Sequence, residues 1–225
     1  MKITFYAHAC FRLEGDGVSL VTDPYTPGPN GSNFEPIDEP ADIVVMSSAT
    51  DRFHSDPSHV RGKPVVVNAL EAPEGGLDVK GVHIDAYPAM ESLTFDYGRD
   101  PDPNAMYSFA LEGVRILHMG DIGNPVPPRH LESLQGAVDV VFALTGGHAT
   151  IDLDDLDAAL DAIRPRVVIP MHYYHERGVL DILPVDAFTS RYPPEQVRFA
   201  GGPALEIGKD TLPSERRVYV LEQSR

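Results

Sequence analysis

Apolar runs rich in Val, Ile, Phe and Tyr recur along the chain with polar turn residues between them, and they predict strands. "KITFYA", "CFRLEG" and "VSLVTD" come first, and the Gly-Asp-Gly of residues 15 to 17 predicts a hairpin between the second and third. "ADIVVMSS", "KPVVVNA", "GVHIDAYPA", "AMYSFALEG" and "VRILHMGD" follow, the last two turning at Glu112 and Gly113. The period then changes. "PPRHLESLQG", residues 127 to 136, has the proline start and glycine stop of a short helix before the strand "VDVVFAL". In "IDLDDLDAALDAIRP", Leu153, Leu156, Leu160 and Ile163 fall at spacings of three and four. The aspartates crowd the N-terminal end of this helix, where its dipole favours them, and Arg164 and Pro165 end it. The strand "RVVIPMHYY" completes a βαβ-like unit, and "VRFA", "ALEIG" and "RRVYVLE" read as further short strands. Strands first and helices interleaved later predict an α/β fold of two sheets with helices packed outside.

The Pro/Gly/Asn-rich stretch "PYTPGPNGSNFEP", residues 24 to 36, cannot continue a strand and is expected as a long loop at the rim of a site, as is the segment at 92 to 103. With 225 residues and 42% hydrophobic content, one domain spanning 1–225 is expected. Acidic residues outnumber basic ones by 34 to 18, and a net charge of −16 repels nucleic acid and anionic membranes. The expected partner is therefore a small-molecule substrate. The one cysteine, Cys10, excludes a disulfide framework and a cysteine-rich zinc site, and reads as a small buried hydrophobe. No apolar run approaches the roughly 20 residues of a membrane span, and a cytoplasmic location is expected.

Four strand ends carry residues able to share a site: His8, the loop 48 to 54, "HMGDIG" at 118 to 123, and "MHYYH" at 171 to 175. Asp121 follows a buried-looking strand, and a buried carboxylate needs a cation, either a metal or a guanidinium, unless it caps the following turn. His172 comes immediately after an apolar strand and is a candidate metal ligand or general base, with a packed core histidine as the alternative. His175 is expected to be exposed, and His118, within a strand, to be packed and hydrogen-bonded.

These stretches resemble the metallo-β-lactamase superfamily, in its metal-dependent hydrolase branch that includes the L-ascorbate-6-phosphate lactonase-like proteins. "MKITFYAHACFRLEGDGVSLVTDP", "ADIVVMSS", "GVRILHMGDIG", "VDVVFALTGGHATID" and "RPRVVIPMHYY" occur in family order over residues 1 to about 175. The resemblance implies a four-layer αββα sandwich with a site for one or two metal ions at one edge. It makes Asp121 the metal-bridging aspartate and His172 the last histidine ligand. It places His8 close to the site, with Asp23 supporting the ligand loop by hydrogen bonding and Asn104 in a structural role.

The chain departs from the family where the signature H-x-H-x-D-H follows "ADIVVMS". Aligned without gaps, Ser48, Thr50, Arg52 and Phe53 occupy the four ligand positions; shifted by one residue, Asp51 and His54 fall on two of them. At the place of the middle histidine stand Met90 and Glu91, where Glu91 is a candidate oxygen ligand or a surface glutamate. His148, in "TGGHATID", is a further candidate facing the site, and Arg52 and His148 are the candidate substrate-binding residues. Three readings follow. In the first, Asp121 and His172, with one or more of His54, Glu91 and His148, hold one ion, zinc or else manganese or iron. Asp121, His172 and His8 serve catalysis in that reading, and a zinc-bound water with pKa near 7 attacks a lactone, ester or phosphoester. In the second, the site binds no metal, Arg52 pairs with Asp121, and the protein is a binding or regulatory module. The third uses His172 as a metal-free general base with Arg52 as an anion anchor.

Overall fold

The computed structural model describes residues 1–29, 31–51, 53–91, 103–147 and 150–225. In chain order the strands are β1 (Lys2–Ala7), β2 (Cys10–Gly15), β3 (Val18–Thr22), β4 (Ile43–Met46), β5 (Val65–Asn68), β6 (Leu77–Val79), β7 (Val82–Met90), β8 (Pro103–Leu111), β9 (Val114–His118), β10 (Val140–Leu144), β11 (Val167–Met171), β12 (Val197–Phe199), β13 (Ala204–Glu206) and β14 (Arg217–Val220). The α-helices are α1 (Pro128–Leu134), α2 (Leu153–Ile163) and α3 (Val185–Thr189). Two sheets result, one ordered β13-β1-β2-β3-β4-β5 and the other β12-β14-β11-β10-β9-β8-β7-β6.

Local chemistry explains the turns. The β2–β3 hairpin turns through Asp16 and Gly17, at φ 50° and 75°, and the β8–β9 hairpin through Glu112 and Gly113, at φ 49° and 72°. Two consecutive positive φ values match the right-handed twist of the strands they join. Helix α2 buries Leu156, Ala159, Leu160 and Ile163, and Arg164 closes it in the left-handed region at φ 59° before Pro165.

Strands β10 and β11 pair in parallel from Val140 with Val167 to Leu144 with Met171, and every residue of both is buried. Such unbroken apolar strands are stable only with both faces covered. One face meets the first sheet through an aromatic pile in which Phe11 lies 4.1 Å from Phe142 and 4.6 Å from Phe5, centroid to centroid. Burial of each such side chain contributes about 1.5–3 kcal/mol. The other face meets the helices: Leu134 of α1, the apolar stripe of α2 and Phe188 of α3 all join the main core. Arg191, just after α3, pairs with Asp154 and Asp157 of α2.

The outer face of the six-stranded sheet is covered differently. Tyr6, Ala7, Cys10, Val21, Val44 and Met46 point away from the second sheet and pack against Tyr25, Phe34, Ile37, Ala41 and Val60. This layer is built from the loop after β3 and a short 3-10 turn, Pro57–His59, rather than an α-helix. Its apolar residues follow no period, which is why the sequence shows only a loop there. His59 pins it, accepting from Ile37 N–H at Nδ1 (2.8 Å) and donating from Nε2 to the Tyr25 carbonyl (2.8 Å). Among the described residues no helix is long and apolar enough to cross a membrane.

Candidate metal centre

Strands β3, β4 and β5 run parallel, as do β9, β10, β11, β14 and β12, so several strands from both sheets deliver their C-terminal ends to one edge. Function gathers at such edges. Here the chain turns sharply just after the strands: His8 (φ 61°), Asp23 (φ 34°), Gly120 (φ 63°) and His172 (φ 52°) all sit in the left-handed region. A non-glycine residue held there costs on the order of 1–3 kcal/mol, which surrounding contacts must offset. One such contact spans the sheets, where His172 N–H donates to the His8 carbonyl at 2.7 Å. Gly120 has no alternative: a Cβ on it would stand 2.5 Å from the Ala105 carbonyl oxygen and 2.5 Å from Asn104 Oδ1.

Three buried imidazoles meet at this edge. The His8 ring centroid lies 4.2 Å from that of His172 and 4.3 Å from that of His54, and His54 and His172 are 5.0 Å apart. Asp121 faces two of them, with Oδ1 3.5 Å from His172 Nε2 and Oδ2 3.9 Å from His54 Nε2. Two overlapping sets of ligand-type atoms follow, His8 with His54 and His172, and Asp51 with His54 and Asp121; within each set the atoms lie within 4.8 Å of one another. Burial first, then His172 and His54, pushes the pKa of His8 well below the usual histidine range. Burial and His54 do the same to His172, so both rings are neutral near pH 7 and offer lone pairs. His172 Nδ1 is buried with no hydrogen-bond partner among the described residues. Neutral imidazoles and carboxylates converging in a buried space, one nitrogen orphaned, fit a divalent transition metal.

Second contacts fix these groups. Asp51 Oδ1 accepts from the backbone N–H of Phe53 (2.6 Å) and of His54 (2.8 Å), a turn that throws His54 inward. Asn104 Oδ1 accepts from Asp121 N–H at 2.9 Å. Asp23, with Oδ1, accepts from Ser47 N–H at 2.6 Å, and so braces the start of the loop that carries Asp51 and His54. Its Oδ2 accepts from the Tyr107 hydroxyl at 3.0 Å and lies 3.2 Å from His118 Nδ1. His118 donates from Nε2 to the Ala9 carbonyl (2.8 Å) and accepts at Nδ1 from Gly120 N–H (3.0 Å). Burial pushes Asp23 up to about 7 against the hydrogen bonds from Ser47 and Tyr107. Burial also pushes His118 down to about 3. The pair is therefore neutral near pH 6.

Of the residues expected from sequence, His8, His54, Asp121 and His172 come together, and Asp51 joins them. Glu91 is buried rather than on the surface, and it lies outside both ligand sets. His118 is packed and hydrogen-bonded. His175 is half-buried against Phe34, at 5.6 Å between ring centroids, instead of exposed. Arg52, His148 and the segment 92–102 lie outside the described residues. Sequence reasoning missed Tyr107, an inward position of an ordinary alternating strand, and Gln223, whose Oε1 accepts from His8 N–H at 3.4 Å. Neither carries a local signal, because each meets its partner only through the tertiary fold.

A narrow cleft, with an internal cavity volume of only about 10 Å³, ends on His8. Its walls are Phe34, Phe53, Tyr173, Val179, Leu180 and Ile182, with Ser32, His175 and Gly178.

The fold and this edge site define a class, and the chain belongs to it: the metallo-β-lactamase superfamily. The family model described as a beta-lactamase superfamily domain matches residues 2–172. The chain is similar to a solved protein from Thermotoga maritima, provisionally described as a Zn-dependent hydrolase of the metallo-β-lactamase superfamily, with 30% identity, a TM-score of 0.76 and 99% of each chain covered. It is also similar to a UPF0173 metal-dependent hydrolase of Pyrococcus furiosus, 29% identical over 193 residues that span 77% of this chain and 84% of the relative. A UPF0173 metal-dependent hydrolase of Thermococcus onnurineus is 27% identical over 192 residues, with 77% and 84% covered.

Proposed function

We propose that this protein is a metal-dependent hydrolase acting on a small neutral ester or lactone, with one divalent ion held by His54, Asp121 and His172. Zinc suits this donor set best, with manganese or iron as alternatives. The observation that carries the reading is that His54 belongs to both ligand sets at this sheet edge, with Asp121 in one and His172 in the other, while Asp121 turns one oxygen toward each histidine. The names of the Thermotoga, Pyrococcus and Thermococcus relatives support the same activity. When bound, the ion supplies Lewis acidity and an activated water. The chain's own groups do the rest. Asp121, whose two oxygens face His172 and His54, can hold a proton there. The strand-end contacts from Asn104, Asp23 and Asp51 keep the donors at fixed positions, so little reorganisation is needed during reaction. The cleft would exclude water and seat the apolar part of a substrate. None of its described walls bears a carboxylate, ammonium or guanidinium, and the net charge of −16 repels anions. A neutral ester or lactone therefore fits better than a phosphoester.

The test is metal analysis of protein purified without chelator or affinity metal, followed by assay of the loaded protein on neutral and phosphorylated esters. We expect about one equivalent of metal, lost on Asp121→Ala, and turnover of neutral substrates at least ten times faster than of phosphorylated ones. Protein that stays metal-free after reconstitution would overturn the reading in favour of a binding module.

A further inference from the structure

We infer that His8 is itself a metal ligand, a third imidazole that takes the place of a histidine missing from the loop after β4. The inference rests on the metal-hydrolase reading and goes beyond it, since neither that reading nor the family signature gives the turn after β1 a ligand.

Among the described residues, the loop after β4 supplies a single imidazole to the ligand sets. Ser48, Thr50, Arg52 and Phe53 stand at ligand positions of the ungapped signature, His54 carries the nearest imidazole, and the loop's other histidine, His59, is held away from the site by Ile37 and Tyr25. A centre with His54, His172 and Asp121 alone is short of nitrogen for a superfamily whose loop signature contains three histidines. His8 is placed to supply it. Its carbonyl is tied to His172 N–H at 2.7 Å, so the two backbones move together. Its ring is stacked on His172, with 27° between planes, and edge-on to His54, with 72° between planes. One nitrogen from each of the three rings lies within 4.8 Å of the others. Two imidazole nitrogens on one tetrahedral zinc stand about 3.3 Å apart, given Zn–N bonds of about 2.05 Å. Binding therefore asks the three rings to draw together by at most about 1.5 Å. Among the described residues no hydrogen bond engages the His8 ring. A left-handed backbone at a histidine, φ 61°, is the strain expected where a side chain is aimed for function.

The test is the cobalt(II) derivative of the wild type and of His8→Phe, His8→Cys and His8→Gln, with X-ray absorption to count imidazoles on the bound ion. His8→Phe keeps an aromatic ring in the stack, and circular dichroism confirms that each variant is folded before metal is added. We expect three imidazoles in the wild type and two in His8→Phe. The dissociation constant should rise by more than the about 100-fold that loss of an outer partner costs. We also expect a thiolate-to-cobalt charge-transfer band in His8→Cys, with the wild type, whose Cys10 faces the other side of the sheet, as the control that lacks it. If wild type binds with two imidazoles, and His8→Phe keeps its affinity while turnover falls, His8 is a proton carrier and the inference fails alone. If the wild type binds no cobalt or zinc at all, the metal-hydrolase reading fails with it.

Discussion

Asp23 shows how much one buried carboxyl can hold. It stands at φ 34° and takes Ser47 N–H on one oxygen and the Tyr107 hydroxyl on the other, beside His118. Because the native pair is neutral, Asp23→Asn should keep its shape and charge: the amide oxygen accepts from Ser47 N–H, while the amide nitrogen faces the Tyr107 hydroxyl, which then accepts instead of donating. We expect it to cost under about 1 kcal/mol, whereas Asp23→Ala strands those groups and should cost about 2–4 kcal/mol in urea unfolding. The pH dependence follows from the same pair. Asp23, raised to about 7, contributes stability that is full below its unfolded value near 3.8 and lost as pH rises through 7. His118, lowered to about 3, contributes stability that is full above its unfolded value near 6.5 and lost as pH falls through 3. Between about pH 4 and 6.5 the folded pair and the unfolded pair each bind one proton, so the two slopes cancel. The Asp23→Asn variant should therefore differ from wild type by an increment that falls with pH between the unfolded Asp value and 7. A constant difference across that range would show Asp23 ionised in the fold.

At the scale of elements, the strip 221–225 braces the end of β1. Tyr173 donates to the Leu221 carbonyl at 3.1 Å, Ser224 N–H to the Tyr6 carbonyl at 2.9 Å, and Arg225 N–H to the same oxygen at 3.1 Å. The Arg225 guanidinium lies 4.7 Å from the Tyr6 ring centroid and pairs with Glu39. His8 and His172 stand at the ends of the segments this strip touches, so deleting residues 222–225 should lower stability by about 2–4 kcal/mol. It should also weaken metal binding about 10- to 100-fold, as loss of outer support does. Arg225→Ala alone should cost about 1 kcal/mol. A deletion that leaves metal affinity intact would limit the strip to a stabilising role. Strands β10 and β11 and helix α2 were legible in the sequence because their patterns are local and strong. His54 was half-legible: an ungapped signature misses it, yet Asp51 three residues before it is an Asx turn that explains the shift. That His8 and His172 share one site was legible from their strand ends, but the stacking of their rings was not, since it needs both sheets and about 160 residues of intervening chain to be in place.

For the molecule as a whole, the two outer layers differ in kind. One is helical, with α2 amphipathic and legible; the other is the loop after β3, whose Tyr25, Phe34 and Ile37 are scattered without period and became readable as a layer only in the fold. A layer without a helical ladder opens at lower free energy than the sheet beneath it. Amide hydrogen exchange should therefore be faster across residues 24–29 and 31–40 than in β10 and β11. His59→Ala, which removes the bridge between Ile37 and Tyr25, should speed it further while leaving exchange in β10 and β11 unchanged. Ser32 and Phe34 belong both to this loop and to the wall of the cleft. The breathing of that layer thus sets how bulky a molecule can reach His8, and selectivity by size becomes a property of local opening rather than of the resting cavity.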